Sequence, residues 1–158
     1  MHRQTAQTVV TPLPAGDVVA MAQCIAIDAE SFPFASVQFG RDMRGNPLWI
    51  AREGNDPRVL GFVATRRRQI DLDIEALAVT RDAQRRGIGR TLLRTAIAHA
   101  RRGPFATVSL HVWAGNATAL GLYEREGFVI LRARPGYYRP GAFDSSGDAY
   151  EMVLQLDA

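Results

Sequence analysis

Residues 72–101, LDIEALAVTRDAQRRGIGRTLLRTAIAHAR, constrain the fold of this chain more than any other stretch. They open as an apolar, β-like run and close as an amphipathic helix from Ile88 to about Arg101 with Leu92, Leu93, Ala96 and Ile97 inward. Between the two sits a corner, QRRGIGR, that packs three arginines and two glycines into seven residues. A strand that turns straight into a helix belongs to an α/β architecture.

The flanks extend the same grammar. A short strand is expected at Thr8 to Thr11, and Asp17 can cap a helix running to about Glu30, with Val18, Met21, Ile25 and Ala29 on one face. A helical piece follows around Val37 to Met43. LWIARE (48–53) and RVLGFVATRR (58–67) read as a hairpin turning at GNDP. ATVSLHVW (106–113) alternates cleanly as a strand, and Asn116 to Glu126 is a helix stopped by Gly127. FVILRAR and AYEMVLQL close the chain as strands around a loop at 135–148. The expected order is β-α-α-β-β-β-α-β-α-β-β, a mixed sheet of about seven strands with four helices. A chain of 158 residues fits one domain spanning 1–158, with 1–7 loose.

Several function classes drop away. No apolar run nears the roughly 20 residues that span a bilayer, and MHRQTAQTVV lacks the apolar core of a secretory signal. The expectation is a cytoplasmic protein without membrane contact. The single cysteine, Cys24, excludes an internal disulfide and reads as a buried small hydrophobe. His2, His99 and His111 show no metal spacing, so no metal is expected. A net charge of +3 is weak for a direct nucleic-acid binder. Every basic residue is an arginine, so the basic patches are guanidinium forks suited to bidentate phosphate contacts.

The corner has two readings. It is either a basic strand-to-helix turn or a phosphate cradle, because a helix N-terminus presents unpaired N–H groups and a partial positive charge. Gly87 and Gly89 would let a ligand approach the backbone, and Arg85, Arg86 and Arg90 would add charge-assisted contacts. The lysine of a Walker loop is missing, and Leu92 stands where a dinucleotide fingerprint needs glycine. Downstream, Asn116 and Tyr123 lie seven residues apart, within about 20° of one direction on a helix. Taken singly, Asn116 is an N-cap and Tyr123 a half-buried aromatic.

Taken together, the strand LAV, the loop QRRGIG, Asn116, Tyr123, Gly127 and Phe128 resemble, in order and spacing, the GNAT superfamily of N-acetyltransferases. The resemblance covers roughly 72–130. It implies a mostly antiparallel sheet splayed between its fourth and fifth strands, with acetyl-CoA in the opening. The pantetheine arm would pair with Leu77, Ala78 and Val79, and the pyrophosphate would rest on Gln84, Arg85, Arg86, Gly87, Ile88, Gly89 and Arg90. Asn116 and Tyr123 would also meet the cofactor.

SFPFAS and the tail GYYRPGAFDSSGDAYEMVLQL further resemble RimI-type enzymes, which acetylate protein N-termini. That likeness puts Phe32, Phe34, Tyr137 and Tyr138 at the acceptor, with Asp148 on a recurrent loop position. The implied partner is a protein or peptide N-terminus, ribosomal proteins included, and the chain would act as a monomer or homodimer.

Acetyl transfer needs a neutral amine, a polarised carbonyl and a protonated leaving thiolate. A backbone N–H near Val79 can polarise the carbonyl, and Tyr123, with a reference pKa near 10, can protonate the thiolate. RimI-type enzymes carry a glutamate twelve residues before the tyrosine, where this chain has His111. On that strand Ser109, His111 and Trp113 share the less apolar face. His111 is either a base acting through water or a hydrogen-bonded imidazole. Asp73 and Glu75, also on one face, are either base candidates or members of salt bridges. A peptide α-amine with a pKa near 7.8 is about one-third neutral at pH 7.5, whereas a lysine amine is about 0.1% neutral, so an α-amine suits a weak base such as histidine. Small-molecule amines and protein lysines are the alternative acceptors.

Overall fold

Two periodicities, 2 and 3.6, become seven strands and three α-helices among the residues that the computed structural model describes, 7–33, 45–143 and 147–157. In chain order these are β1 (Thr8–Pro12), α1 (Val18–Ser31), β2 (Leu48–Glu53), β3 (Gly61–Arg68) and β4 (Asp71–Val79). A 3-10 turn (Arg81–Ala83) leads into α2 (Ile88–Arg102), followed by β5 (Thr107–Trp113), α3 (Ala117–Arg125), β6 (Val129–Arg134) and β7 (Ala149–Gln155). The helix expected around Val37 to Met43 lies outside the described residues.

The strands form one seven-stranded sheet in the order β1-β2-β3-β4-β5-β7-β6. The β1–β2, β2–β3, β5–β7 and β6–β7 pairs are antiparallel and β4–β5 is parallel, so the mixed, mostly antiparallel α/β sheet holds. Parallel neighbours need a long crossover, which α2 supplies between β4 and β5. The chain divides into two compact units, Met1–Ala64 with Ala76–Ala96 and Thr65–Glu75 with Ile97–Ala158.

In the first unit, Leu13, Ile27, Leu48, Ile50, Val59 and Phe62 build the core with small residues Ala20, Cys24, Ala76 and Ala78. Asp17 caps α1 as expected, its Oδ1 accepting from the Ala20 N–H at 3.0 Å. Of the apolar face formed by Val18, Met21, Ile25 and Ala29, only Met21 packs against the core. Ala20, Cys24, Ile27 and Asp28 are buried, whereas Val18 is 72% and Ile25 48% exposed. The helix is apolar almost all round, so periodicity alone cannot set its rotation. The side carrying Ala20 and Cys24 packs inward, where small side chains allow close approach. Burial pushes the Cys24 thiol up to about 12, which leaves it inert as a nucleophile.

In the second unit, β5 alternates as its sequence requires: Val108, Leu110 and Val112 are buried, and Thr107, Ser109, His111 and Trp113 are half-buried on the other face. Asn116 caps α3, its Oδ1 accepting from the Ala119 N–H at 3.1 Å. The helix ends in a Schellman motif: Phe128 N–H donates to Tyr123 O at 3.0 Å and Gly127 N–H to Glu124 O at 3.1 Å. Gly127 takes φ +99°, which glycine adopts without strain. The loop between β6 and β7 is tied at its base, where Asp148 Oδ1 accepts from Gly136 N–H at 2.9 Å and Gly147 O from Tyr138 N–H at 2.9 Å. Among the described residues no helix is long and apolar enough to cross a membrane.

Candidate functional site

The first unit carries the corner. β4 ends at Val79, and the next residue, Thr80, donates its N–H to Leu60 O at 2.8 Å. Gly61 backs this end so closely that a Cβ there would lie 2.7 Å from Ala78 O. Gln84 Nε2 donates to Val79 O at 3.3 Å and folds the loop onto the strand end. Arg85 and Gly87 both take left-handed backbone, at φ +67° and +78°. A Cβ on Gly87 would meet nothing within 4 Å. Buried Ile88 anchors the first turn of α2, and the first intrahelical bond runs from Thr91 N–H to Gly87 O at 3.1 Å. The N–H groups of residues 88–90 therefore precede the helix ladder, as anion-binding donors must.

A second set of contacts, which sequence reasoning missed, holds the corner in shape. Arg58, from the loop before β3, grips Asp82 with two hydrogen bonds of 2.9 and 2.8 Å. That guanidinium holds the Asp82 carboxyl down at about 2. Arg86 donates to Asp82 O at 3.4 Å and lies 3.8 Å from Glu53. The two partners of the clasp are 24 residues apart, so no local signal announces it. Leu77, Ala78, Val79 and the loop Gln84–Arg90 thus come together in this unit, and an open backbone corner rimmed by guanidinia fits a diphosphate. Phe32, at the C-cap of α1, is partly buried against the core of the same unit. Phe34 lies outside the described residues.

The second unit collects the groups with acid–base chemistry. Tyr123 is 8% exposed, with its ring edge-on to Phe128 at 5.8 Å. Burial first, and then the neighbouring Tyr138, push its phenol well above the usual tyrosine value. Burial and then Tyr137 raise Tyr138 to about 12. Tyr137 stacks flat on His111, 4.5 Å away with 3° between the rings, and meets Tyr138 edge-on at 5.0 Å. Trp113 and Phe143 continue this aromatic wall as a second stack at 4.5 Å. Asn116 sits exposed at the α3 N-cap, its carbonyl engaged in capping.

The carboxylates of β4 have partners. Arg68 lies 3.6 Å from Asp73, and Arg66 lies 3.5 Å from Glu75. Asp71 accepts from Thr107 Oγ1 at 2.8 Å and from Ser109 Oγ at 2.5 Å. Burial raises Asp73 to about 6, with Arg68 opposing. His111 is shifted the other way: burial lowers its ionisation below the usual histidine value and Glu151 opposes that. Its Nε2 is buried and has no hydrogen-bond partner among the described residues. Among those residues no group of three or more His, Cys, Asp or Glu side chains is placed to hold a metal ion.

Comparison with known proteins gives consistent likenesses. The model of the acetyltransferase (GNAT) family matches residues 16–128. The chain is 34% identical over 131 residues to the [ribosomal protein bS18]-alanine N-acetyltransferase of Escherichia coli K12, covering 81% of this chain and 84% of that one. It is 31% identical over 140 residues to the N-alpha-acetyltransferase RimI of Mycobacterium tuberculosis, covering 82% and 83% of the two chains. Its fold matches the crystal structure of the E. coli ribosomal-protein-S18-alanine N-acetyltransferase with a TM-score of 0.81, 25% identity and 96% of each chain covered.

Proposed function

The chain belongs to the acetyltransferase (GNAT) family, and from that premise we propose that it moves the acetyl group of acetyl-CoA onto the N-terminal α-amine of a protein. One observation carries the choice of acceptor. Both carboxylates open to base duty, Asp73 and Glu75, sit in ion pairs with Arg68 and Arg66, while the half-buried His111 imidazole has a carboxylate beside it, Glu151 Oε2 lying 3.9 Å from Nε2. A half-buried imidazole is a weak base, adequate for an α-amine with a pKa near 7.8 and poorly matched to a lysine near 10.4. The relative that acetylates the alanine of a ribosomal protein makes ribosomal N-termini the first acceptors to try.

Acetyl-CoA is the co-substrate and supplies an acyl group activated as a thioester. The backbone of Leu77, Ala78 and Val79 receives its arm, and Gln84 through Arg90 receive its diphosphate, supported by the left-handed Gly87 and by the start of the α2 ladder at the Thr91 N–H to Gly87 O bond. A parting of β4 from β5 beyond Ile74 and Leu110 belongs to the same proposal, supported by a parallel register that runs from Asp71↔Thr107 to Ile74↔Leu110. An N–H near Val79 polarises the carbonyl. His111 takes, through water, the proton that the amine sheds as its nitrogen bonds to the carbonyl carbon. Tyr123 gives its phenolic proton to sulfur as the C–S bond breaks, and both groups then re-equilibrate with solvent. Asn116 contributes to cofactor contact, and Phe32, Phe34, Tyr137 and Tyr138 to the acceptor. Residues 1–158 act as one catalytic domain.

The test offers acetyl-CoA with a panel of peptides varied at their first two residues, and with lysine-bearing peptides blocked at the α-amine. Mass spectrometry is expected to find the new acetyl group on the α-nitrogen. Transfer confined to lysine or to small amines would overturn the choice of acceptor.

A further inference from the structure

The neighbours of His111 across the sheet are more informative than its own strand. The β5–β7 register sets His111 opposite Glu151, and the β6–β7 register sets Arg132 opposite the same glutamate. Three strands thus line up an imidazole, a carboxylate and a guanidinium on one face. Arg132 Nε lies 3.1 Å from Glu151 Oε2, and His111 Nε2 lies 3.9 Å from that same oxygen. Tyr137 covers the imidazole face. Glu151 and His111 are about equally shielded, at 20% and 21% side-chain exposure, whereas Arg132 reaches out at 55%. A carboxylate this shielded, tethered from its outer side, faces a ring nitrogen that lacks any other partner among the described residues.

A histidine acts as a base through one nitrogen only when the other carries the proton, and a carboxylate beside that other nitrogen selects the tautomer. We infer that Glu151, tethered by Arg132, is a positioning residue that keeps the proton of neutral His111 on Nε2 and so leaves Nδ1 to receive the proton of the acceptor amine. This rests on the assignment of His111 as base proposed above. In the step itself Nδ1 gains one proton from the amine, directly or through water, Nε2 keeps its own, and Glu151 closes on the resulting imidazolium. The charged groups acting on His111 are Glu151 from β7, which favours the protonated ring, and Arg132 and Arg134 from β6 with Arg68 from β3, which oppose it.

The experiment combines ¹⁵N NMR of the full-length protein with the pH dependence of kcat/KM, for wild type, Glu151→Gln, Glu151→Asp and Arg132→Ala. His111 resonances are assigned with His111→Gln, and a thermal melt confirms that each variant folds. The wild-type ring is expected to show the Nε2–H tautomer. Glu151→Gln should mix the tautomers and lower the ionisation of His111, and Arg132→Ala should raise it. Loss of packing alone would not give these opposite signs. Glu151→Gln should also lower kcat/KM by about 10- to 100-fold, carried by kcat rather than KM, with partial recovery in Glu151→Asp. An unchanged tautomer and titration in Glu151→Gln overturns the inference, as does a changed tautomer with unchanged kcat/KM. Failure of the wild type to acetylate any amine would refute the functional proposal instead, and the NMR arm would still decide whether Glu151 orders the ring.

Discussion

Tyr123 is a phenol that stays protonated where it sits. Burial removes the water that would stabilise phenolate, and Tyr138 adds to the effect, so the side chain holds its proton near neutral pH and is a weaker acid than a free tyrosine. Tyr123→Phe is expected to lower turnover by about 100-fold or more with little change in acetyl-CoA affinity, measured by single-turnover kinetics beside calorimetric titration. An unaltered rate would remove the phenol from the reaction. The same burial predicts no fall in kcat attributable to tyrosine ionisation up to about pH 10.

Asp73 makes a different kind of statement. Its folded value of about 6 lies above the unfolded 3.8, so the folded protein binds this proton more tightly. Stability from this group is therefore fully present below about pH 4 and is lost as pH rises through about 6. Thermal melts of Asp73→Asn between pH 4 and 7 should show that decline flattened. A decline as steep as that of wild type would mean that Arg68 and Arg66 neutralise the carboxylate fully.

At the scale of elements, the corner between β4 and α2 depends on Gly61, which no motif flags. With Ala78 O only 2.7 Å from where a Cβ would go, Gly61→Ala must displace backbone rather than a flexible side chain. It should cost about 1–3 kcal/mol of stability, in the range of overpacked cores, and weaken acetyl-CoA binding, because β4 would shift at Ala78 and Val79. Chemical denaturation and ligand titration check the two effects separately, and an unaltered midpoint would mean that the strand end yields freely.

Most elements were legible because their burial is one-sided. β5 alternates, α2 presents Leu92, Leu93, Ala96 and Ile97 on one buried stripe, and α3 is bounded by an asparagine cap and a glycine stop. α1 was legible as a helix yet not in its rotation, since Val18 and Ile25 are as apolar as the residues that face inward. The site divides in the same way. His111 could be assigned to a face by alternation, whereas its meeting with Glu151 and Arg132 depends on the register of three strands, with the last strand of the chain lying between the other two. Registers are set by packing across the sheet, which local sequence does not encode.

For the molecule as a whole, binding and stability are linked by mass action. Acetyl-CoA at 100 times its Kd should stabilise the folded chain by about 2.7 kcal/mol, which for a chain of this size raises Tm by about 5–10 °C. Differential scanning calorimetry with and without the ligand measures this, and a shift under about 1 °C at saturation would contradict binding to the native state. The guanidinia of Arg58, Arg66, Arg68, Arg86 and Arg132, all engaged with carboxylates, carry a last consequence. A guanidinium keeps its proton at neutral pH and offers no lone pair to an electrophile. All 19 of the Lys and Arg positions are arginine, so a bound thioester meets no lysine ε-amine of the chain to acylate.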